Sequence, residues 1–250
     1  MKTVAVIPSR YGSTRFPGKS LAPICGKPLV RWVAEACLRA KTVDEVLVAT
    51  DDERIAAAVE GIGARAVMTP SDLPSGTDRV AVAARPADGD VVVNVQGDEP
   101  LIDPALIDDV ADKLRLDAAG RFQMSTASAP IRTAEELAAP SVVKVVTDAE
   151  DGALYFSRFA IPFRRDGEPD PATGLWRRHV GIYGYRGAFL KRLVATPPCE
   201  LELSEKLEQL RALWLGGRIA VVRTAELGVG VDRPEDVPVV EALLRERGLA

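Results

Sequence analysis

Residues 12–20 read GSTRFPGKS: a glycine, five residues, then Gly18, Lys19 and Ser20. A Walker A loop has four residues in that gap and opens a helix at its Gly-Lys. Here Pro23 and Pro28 follow closely and stop any long helix, while Pro17 lacks the N–H that a phosphate cradle uses. The stretch is not a P-loop, yet Arg10, Arg15 and Lys19 crowd into it. The first 40 residues hold seven basic side chains (Lys2, Arg10, Arg15, Lys19, Lys27, Arg31, Arg39) against one acid, Glu35. Guanidinium forks and an ammonium aimed into one loop suit a triphosphate, and Gly12, Ser13 and Gly18 let the backbone come close. The plainer alternative is a solvated basic loop at a strand end.

Two further loops carry residue types for the same chemistry. PSGTDR, residues 74–79, precedes a predicted helix. Ser75 and Thr77 are ordinary N-cap candidates. The same segment offers free N–H groups and, one turn in, Arg79, which suit a phosphate, a ribose or a base edge. In VVVNVQGDEP a β-branched strand runs into Gln96, Gly97, Asp98 and Glu99. A carboxylate at that strand end either closes a turn or ligates a metal. Mg2+ takes one or two protein carboxylates and completes its shell with phosphate oxygens and water. Asp232, in GVGVDRPED, stands in a similar strand-to-helix setting and is either an N-cap or the partner of Asp98. His179 is the only histidine, a structural residue or a ligand contact.

These loops need a frame to hold them. TVAVIP, EVLVATD, RAVMT and DVVVNVQGDEP read as strands; PLVRWVAEACLRAK, DERIAAAVEGIG, GTDRVAVAA and PALIDDVADKLRL read as helices between and after them. Alternation with nearly continuous apolar strands predicts an α/β fold, a mainly parallel sheet covered by helices on both faces. The pattern then changes. SVVKVVTDAEDGALYFSR predicts two strands around a turn at 148–152, FRRDGEPDPATGLWRR a polar loop, HVGIYGYR a strand and GAFLKRLVA a helix. LSEKLEQLRALWL predicts one helix with Leu203, Leu207, Leu210, Leu213 and Trp214 along it, RIAVVRTA a strand and RPEDVPVVEALLRERG a closing helix. The expected division is a nucleotide-binding core, 1–124 plus 218–250, and a smaller antiparallel α+β lobe, 125–217.

Composition bounds the function. With 250 residues and a net charge of −4, the chain has room for a core and an added lobe but no general electrostatic grip on nucleic acid or anionic membranes. Cys25, Cys37 and Cys199 have neither CxxC spacing nor an even count, which speaks against a disulfide framework or zinc site. No run approaches the roughly 18 apolar residues of a membrane span and no signal peptide is visible, so a soluble cytoplasmic protein is expected.

In order along residues 3 to about 240, IPSRYGSTRFPGK, SGTDR, VNVQGDEP, ALYFSR, RHVGIYGYR, LEQLR and GVDRPED resemble the 3-deoxy-manno-octulosonate (Kdo) cytidylyltransferase family. The resemblance implies a nucleotide-diphospho-sugar transferase-like fold whose smaller lobe holds the sugar and forms a homodimer. It implies CTP contacts from Arg10, Arg15, Lys19, Ser75, Gly76, Arg79 and Gln96, and Mg2+ ligands Asp98 and Asp232. It implies a sugar pocket lined by Arg158, His179, Tyr183, Glu208 and Gln209, with Arg158 as the fork for the sugar carboxylate.

The reaction implied is attack of the anomeric hydroxyl of a 2-keto sugar acid on the α-phosphorus of CTP, with pyrophosphate leaving. Lys19, Arg15, Asp98 and Asp232 are the expected catalytic set: one Mg2+ bridges sugar oxygen and α-phosphate, a second organises the triphosphate, and the basic pair neutralises phosphate charge. In the family such a product serves lipopolysaccharide or a capsule. Arg164, Arg165 and the stretch ELELSEK depart from the family's familiar forms, which leaves sialic acid or another ulosonic acid as the alternative acceptor. A dehydrogenase is disfavoured because no GxGxxG follows the first strand. A non-catalytic nucleotide-binding protein is disfavoured by the paired aspartates.

Overall fold

Both faces of the strand Thr3–Ser9 are buried. Ala5 and Ile7 join one apolar cluster with Val33, Ile55, Ile107 and Val110; Val4 and Val6 join another with Val80, Leu190 and Leu210. A strand apolar on both sides stays in place only between two helical layers. Each such side chain contributes about 1.5–3 kcal/mol by leaving water. A charge at Val93, which has no exposure, would stand unpaired in this core and break it.

The computed structural model describes residues 1–12, 16–225 and 228–250. Among these the strands are β1 (Thr3–Ser9), β2 (Pro23–Ile24), β3 (Lys27–Pro28), β4 (Glu45–Thr50), β5 (Arg65–Met68), β6 (Val91–Asn94), β7 (Met124–Pro130), β8 (Lys144–Thr147), β9 (Ala153–Ser157), β10 (Arg177–Arg186) and β11 (Ile219–Arg223). The α-helices are α1 (Leu29–Arg39), α2 (Glu53–Ala58), α3 (Gly76–Ala84), α4 (Pro104–Arg115), α5 (Ala134–Ala138), α6 (Gly187–Val194), α7 (Glu200–Glu205), α8 (Gln209–Trp214) and α9 (Val237–Glu246). Asp52, Ser75, Asp103 and Thr133 cap α2, α3, α4 and α5 by accepting first-turn N–H bonds.

The main sheet runs β11-β7-β10-β6-β1-β4-β5, with the β8–β9 hairpin attached through β10. β1 pairs in parallel with β4 and β6, β4 with β5, and β11 with β7, while β10 is antiparallel to both neighbours. Helices α1, α2 and α4 cover one face; α3, α6 and α8 cover the other. The C-terminal ends of β1, β4 and β6 emerge at one edge, where open α/β sheets bind ligands. Helix α9 packs instead on the β2–β3 hairpin and the start of α1, through Val240 and Leu244 against Ile24, Leu29 and Trp32.

The expected boundary at 124/125 falls at the start of β7, and β7 and β10 of the 125–217 region are strands of the main sheet. One feature differs from the sequence reading. The helix predicted over LSEKLEQLRALWL is two, α7 and α8, broken where Lys206 takes the left-handed conformation at φ 54°. The carbonyls of Glu205 and Lys206 are taken by the Arg158 guanidinium at 2.6 and 3.4 Å. The break buries Leu207 and Leu210 but leaves Leu203 and Trp214 more than half exposed.

Candidate active site

The site grows from the end of β1. Gly18, at φ 69°, opens a single 3-10 turn over Lys19–Leu21. The Ser9 hydroxyl donates to Ser20 at 2.7 Å and ties this turn back to the strand. Lys19 therefore projects over the sheet edge. The residues following β6 arrive beside it because Gly97 has no side chain: a Cβ there would lie 2.9 Å from the Pro8 carbonyl. Asp232 is brought to the same place by its backbone. The Val231 N–H donates to the Asp98 carbonyl at 2.8 Å, and the Asp236 carboxylate accepts the N–H groups of Asp232 and Arg233, each at 2.8 Å. Those two bonds hold the Asp236 carboxyl below its usual range.

The Lys19 ammonium lies 2.7 Å from Asp98 Oδ2 and 3.4 Å from Asp232 Oδ1. A cation already occupies the gap between two converging carboxylates. This donor set fits Mg2+, a hard ion that accepts two carboxylates when phosphate and water supply the rest. Among the described residues no group of three or more His, Cys, Asp or Glu forms a self-sufficient metal cage. Beside the pair, burial and the Asp98 charge push Glu99 up to about 7.

A cavity of about 340 Å3 opens at this edge, lined by Arg10, Lys19, Ser75, Gly76, Arg79, Gln96 and Asp98 together with Pro8, Ser9, Ser20, Leu73, Pro74 and Gly97. All the expected nucleotide contacts converge there except Arg15, which lies outside the described residues. Ser75 is both cap and lining: its Oγ accepts from the Asp78 N–H at 3.2 Å and donates to Asp78 Oδ2 at 2.7 Å. Arg79 is 4 % exposed and held by the Thr69 hydroxyl and Asp51.

A second cavity of about 230 Å3 shares Gly76 and Gln96 with the first. Tyr183, Glu208 and Gln209 line it, as do Thr77, Asn94, Tyr185 and Lys206. Within this lining, Thr77 Oγ1 donates to Glu208 Oε2 at 2.6 Å. Gln209 is 3 % exposed and its Nε2 has no protein partner; a buried amide left so is costly unless a ligand completes it. Arg158 and His179 line neither cavity. Arg158 spends its guanidinium on the carbonyls of Pro140, Glu205 and Lys206, so it shapes the loop that carries Glu208. His179 packs on Phe156 and Tyr183, and Nε2 lies 2.9 Å from Thr126 Oγ1. Burial pushes its pKa down to about 3, which keeps the ring neutral. Burial pushes the Tyr183 phenol up.

Of the lining residues the motifs did not flag, Asn94 carried a readable signal: a polar residue inside a β-branched strand, 3 % exposed. Tyr185 and Lys206 carried none.

Two adjoining cavities at the strand ends of an α/β sheet, one basic and one rich in hydroxyls and amides, with Asp98 in the lining of the first converging on Asp232, define a nucleotidyltransferase. A family model described as "Cytidylyltransferase" matches residues 4–219. The chain is 52 % identical to the 3-deoxy-manno-octulosonate cytidylyltransferase of Geobacter sulfurreducens, over 95 % of this chain and 97 % of the relative. It is 47 % identical to that of Bdellovibrio bacteriovorus over the full length of both. A solved CMP:2-keto-3-deoxy-manno-octonic acid synthetase complexed with CTP superposes with a TM-score of 0.91 at 41 % identity, covering 99 % of this chain and 100 % of that one. The chain belongs to the 3-deoxy-manno-octulosonate cytidylyltransferase family.

Proposed function

We infer that this chain transfers CMP from CTP to the anomeric hydroxyl of Kdo, giving CMP-Kdo and pyrophosphate. The observation that carries the reading is the basic cavity, in whose lining Lys19 meets Asp98 and reaches Asp232, adjoining a second cavity through the shared Gly76 and Gln96. A triphosphate laid along the basic cavity would have its α-phosphate near Lys19 and Asp98, with the sugar hydroxyl offered from the second. Holding the two reactants together supplies much of the rate. Lys19, with Arg15, neutralises charge on the α-phosphate and on departing pyrophosphate. Ser75, Gly76, Arg79 and Gln96 hold the nucleotide; Tyr183, Glu208 and Gln209 hold the sugar. Arg158 and His179 support that pocket from behind.

Asp98 and Asp232 are the residues that would hold Mg2+. When bound, the ion supplies Lewis-acid charge for the phosphate and hydroxyl oxygens, so no dedicated protein base is needed. A neutral His179 facing Thr126 is consistent with that. The same reading carries a cytoplasmic homodimer, with residues 125–217 as sugar-binding and dimerisation lobe. The exposed Phe159, Phe163 and Leu175 of that region support it, and sedimentation velocity tests it. Among the described residues no helix is long and apolar enough to cross a membrane. Arg164 and Arg165, the departures from the family pattern, line neither cavity; the Arg165 side chain is 93 % exposed. They give no reason to prefer another acid.

The test is pyrophosphate release from CTP and Mg2+ with Kdo, sialic acid and no sugar in parallel. Release with Kdo alone is expected. Release with sialic acid alone overturns the acceptor, and release with neither overturns the reaction.

A further inference from the structure

We propose that Asp51 is a positioning residue for CTP, fixing the basic loop and Arg79 in register with each other before the nucleotide arrives. The proposal rests on the reading of the first cavity as the CTP site. Asp51 does not line that cavity. It follows β4 directly, at the sheet edge where β1 and β6 also end, and its side chain is 14 % exposed.

Its two oxygens face two different elements of the site. Oδ1 accepts the Tyr11 N–H at 3.2 Å, and Oδ2 accepts from the Arg79 guanidinium at 3.4 Å. The other terminal nitrogen of Arg79 donates to the Thr69 hydroxyl, which in turn donates to the Thr50 carbonyl at 3.0 Å. The guanidinium is thus forked between the end of β4 and the residue after β5. A buried cation needs a counter-charge to stay in place, and Asp51 is the carboxylate the structure pairs with Arg79.

Tyr11 carries the second half of the effect. Its carbonyl accepts the Gly18 N–H at 3.2 Å, closing the loop onto the turn that bears Lys19. Its ring lies against the Cα of Gly18, where an added Cβ would meet ring carbon at 3.3 Å. The Arg54 guanidinium also stacks on this ring, 3.8 Å from its centroid. Asp52 holds Arg54 with bonds of 2.6 and 2.9 Å. The consecutive acids in TDDER therefore have separate tasks: Asp52 caps α2 and holds the outer clamp on Tyr11, and Asp51 joins the loop to α3. Such pre-ordering lowers the cost of assembling a triphosphate site at the moment of binding.

The experiment is steady-state kinetics on the full chain with Asp51→Asn, Arg79→Met and the double variant. Melting temperature is measured alongside. Asparagine keeps an acceptor for Tyr11 but removes the charge facing Arg79. The expected result is a KM for CTP raised about tenfold in Asp51→Asn, the scale of one lost charge-assisted bond, with KM for Kdo and kcat nearly unchanged. The double variant is expected to match Arg79→Met alone, because Asp51 acts through that arginine. Asp51→Ser carries the same expectations where the asparagine variant does not fold. An unchanged KM for CTP overturns the proposal. So does an equal rise in both KM values with a lowered melting temperature, or multiplicative effects in the double variant. An Arg79→Met enzyme with unchanged KM for CTP overturns instead the assignment of the cavity.

Discussion

The Lys19 ammonium stands between Asp98 and Asp232, 2.7 Å from one carboxylate and 3.4 Å from the other. The three residues come from the turn after β1, the loop after β6 and the loop before α9. Two carboxylates this close repel one another unless a cation stands between them. The ammonium supplies one in the free protein. On the proposed reading, phosphate oxygens of CTP would draw this charge away, and the two carboxylates would then be able to hold Mg2+.

Asp98→Asn keeps the shape and removes one of the two carboxylate charges proposed to hold Mg2+. Turnover is expected to fall by a factor of order 10³, about 4 kcal/mol of transition-state stabilisation, with the melting temperature little changed. A near-wild-type kcat at saturating Mg2+ would remove Asp98 from the metal site.

Lys19→Met separates the two tasks of the lysine. Loss of one preorganised cation at a developing phosphate charge is expected to lower kcat by about 10²-fold. The carboxylate pair, freed of its competitor, is expected to bind Mn2+ at least as tightly as in the wild type, read by spin-probe titration without CTP. Weaker Mn2+ binding would mean that the lysine holds the pair together rather than competing for it.

His179 sets an acid limit on stability. Its folded pKa, about 3, lies below the ordinary 6.5, so between these values the unfolded chain takes up a proton that the native chain refuses. Stability from this residue is complete above pH 6.5 and declines as pH falls toward 3. His179→Asn is expected to lose less melting temperature than the wild type between pH 7 and pH 4.5. Its kcat profile from pH 6.5 to 8.5 is expected to match the wild type in shape. A wild-type inflection in that range that disappears in the variant would make His179 a proton acceptor.

Lys144 is fully buried, and its ammonium donates to the Ala139 and Arg158 carbonyls at 2.8 and 2.9 Å. Arg158 in turn holds the carbonyls before Glu208. Lys144→Met takes the donor from the Arg158 carbonyl, while the Ala139 carbonyl keeps the Val142 N–H at 3.1 Å, and is expected to cost about 1–3 kcal/mol in urea unfolding. A loss below about 0.5 kcal/mol would show that water replaces the ammonium freely.

The residues that line the first cavity were legible because their signals are local. A basic loop, a cap followed by an arginine, and an acid after a β-branched strand each declare themselves within ten residues. The sugar half was less so. β7, MSTASAP, shows no hydrophobic pattern because small polar residues sit in the core on partners distant in sequence. Ser125 donates to the Val110 carbonyl at 2.6 Å and Thr126 to that of Ile182 at 2.8 Å. The break at Lys206 has no glycine or proline to announce it; it depends on Arg158, far away in sequence, taking the carbonyls. Asp51 looked like the end of a strand, and only the meeting of Tyr11 and Arg79 gives it a task.

Thr77 lines the second cavity next to Gly76, which both cavities share, and its hydroxyl offers a way to tell the two apart. The residue sits in the first turn of α3, and its Oγ1 donates to Glu208 Oε2 at 2.6 Å. Thr77→Val keeps the branched shape and the backbone N–H while removing that donor. Glu208 then loses its anchor and, with it, its fixed direction into the sugar cavity. A bond from a hydroxyl to a carboxylate is worth roughly a factor of ten. KM for Kdo is therefore expected to rise about tenfold while KM for CTP holds. Glu208→Gln, which weakens the same contact from the other side, is expected to act in the same direction. Because both variants remove one bond, their combination is expected to be less than multiplicative. A rise in KM for CTP, with KM for Kdo unchanged, would place Thr77 and Glu208 on the nucleotide side and require a different acceptor pocket.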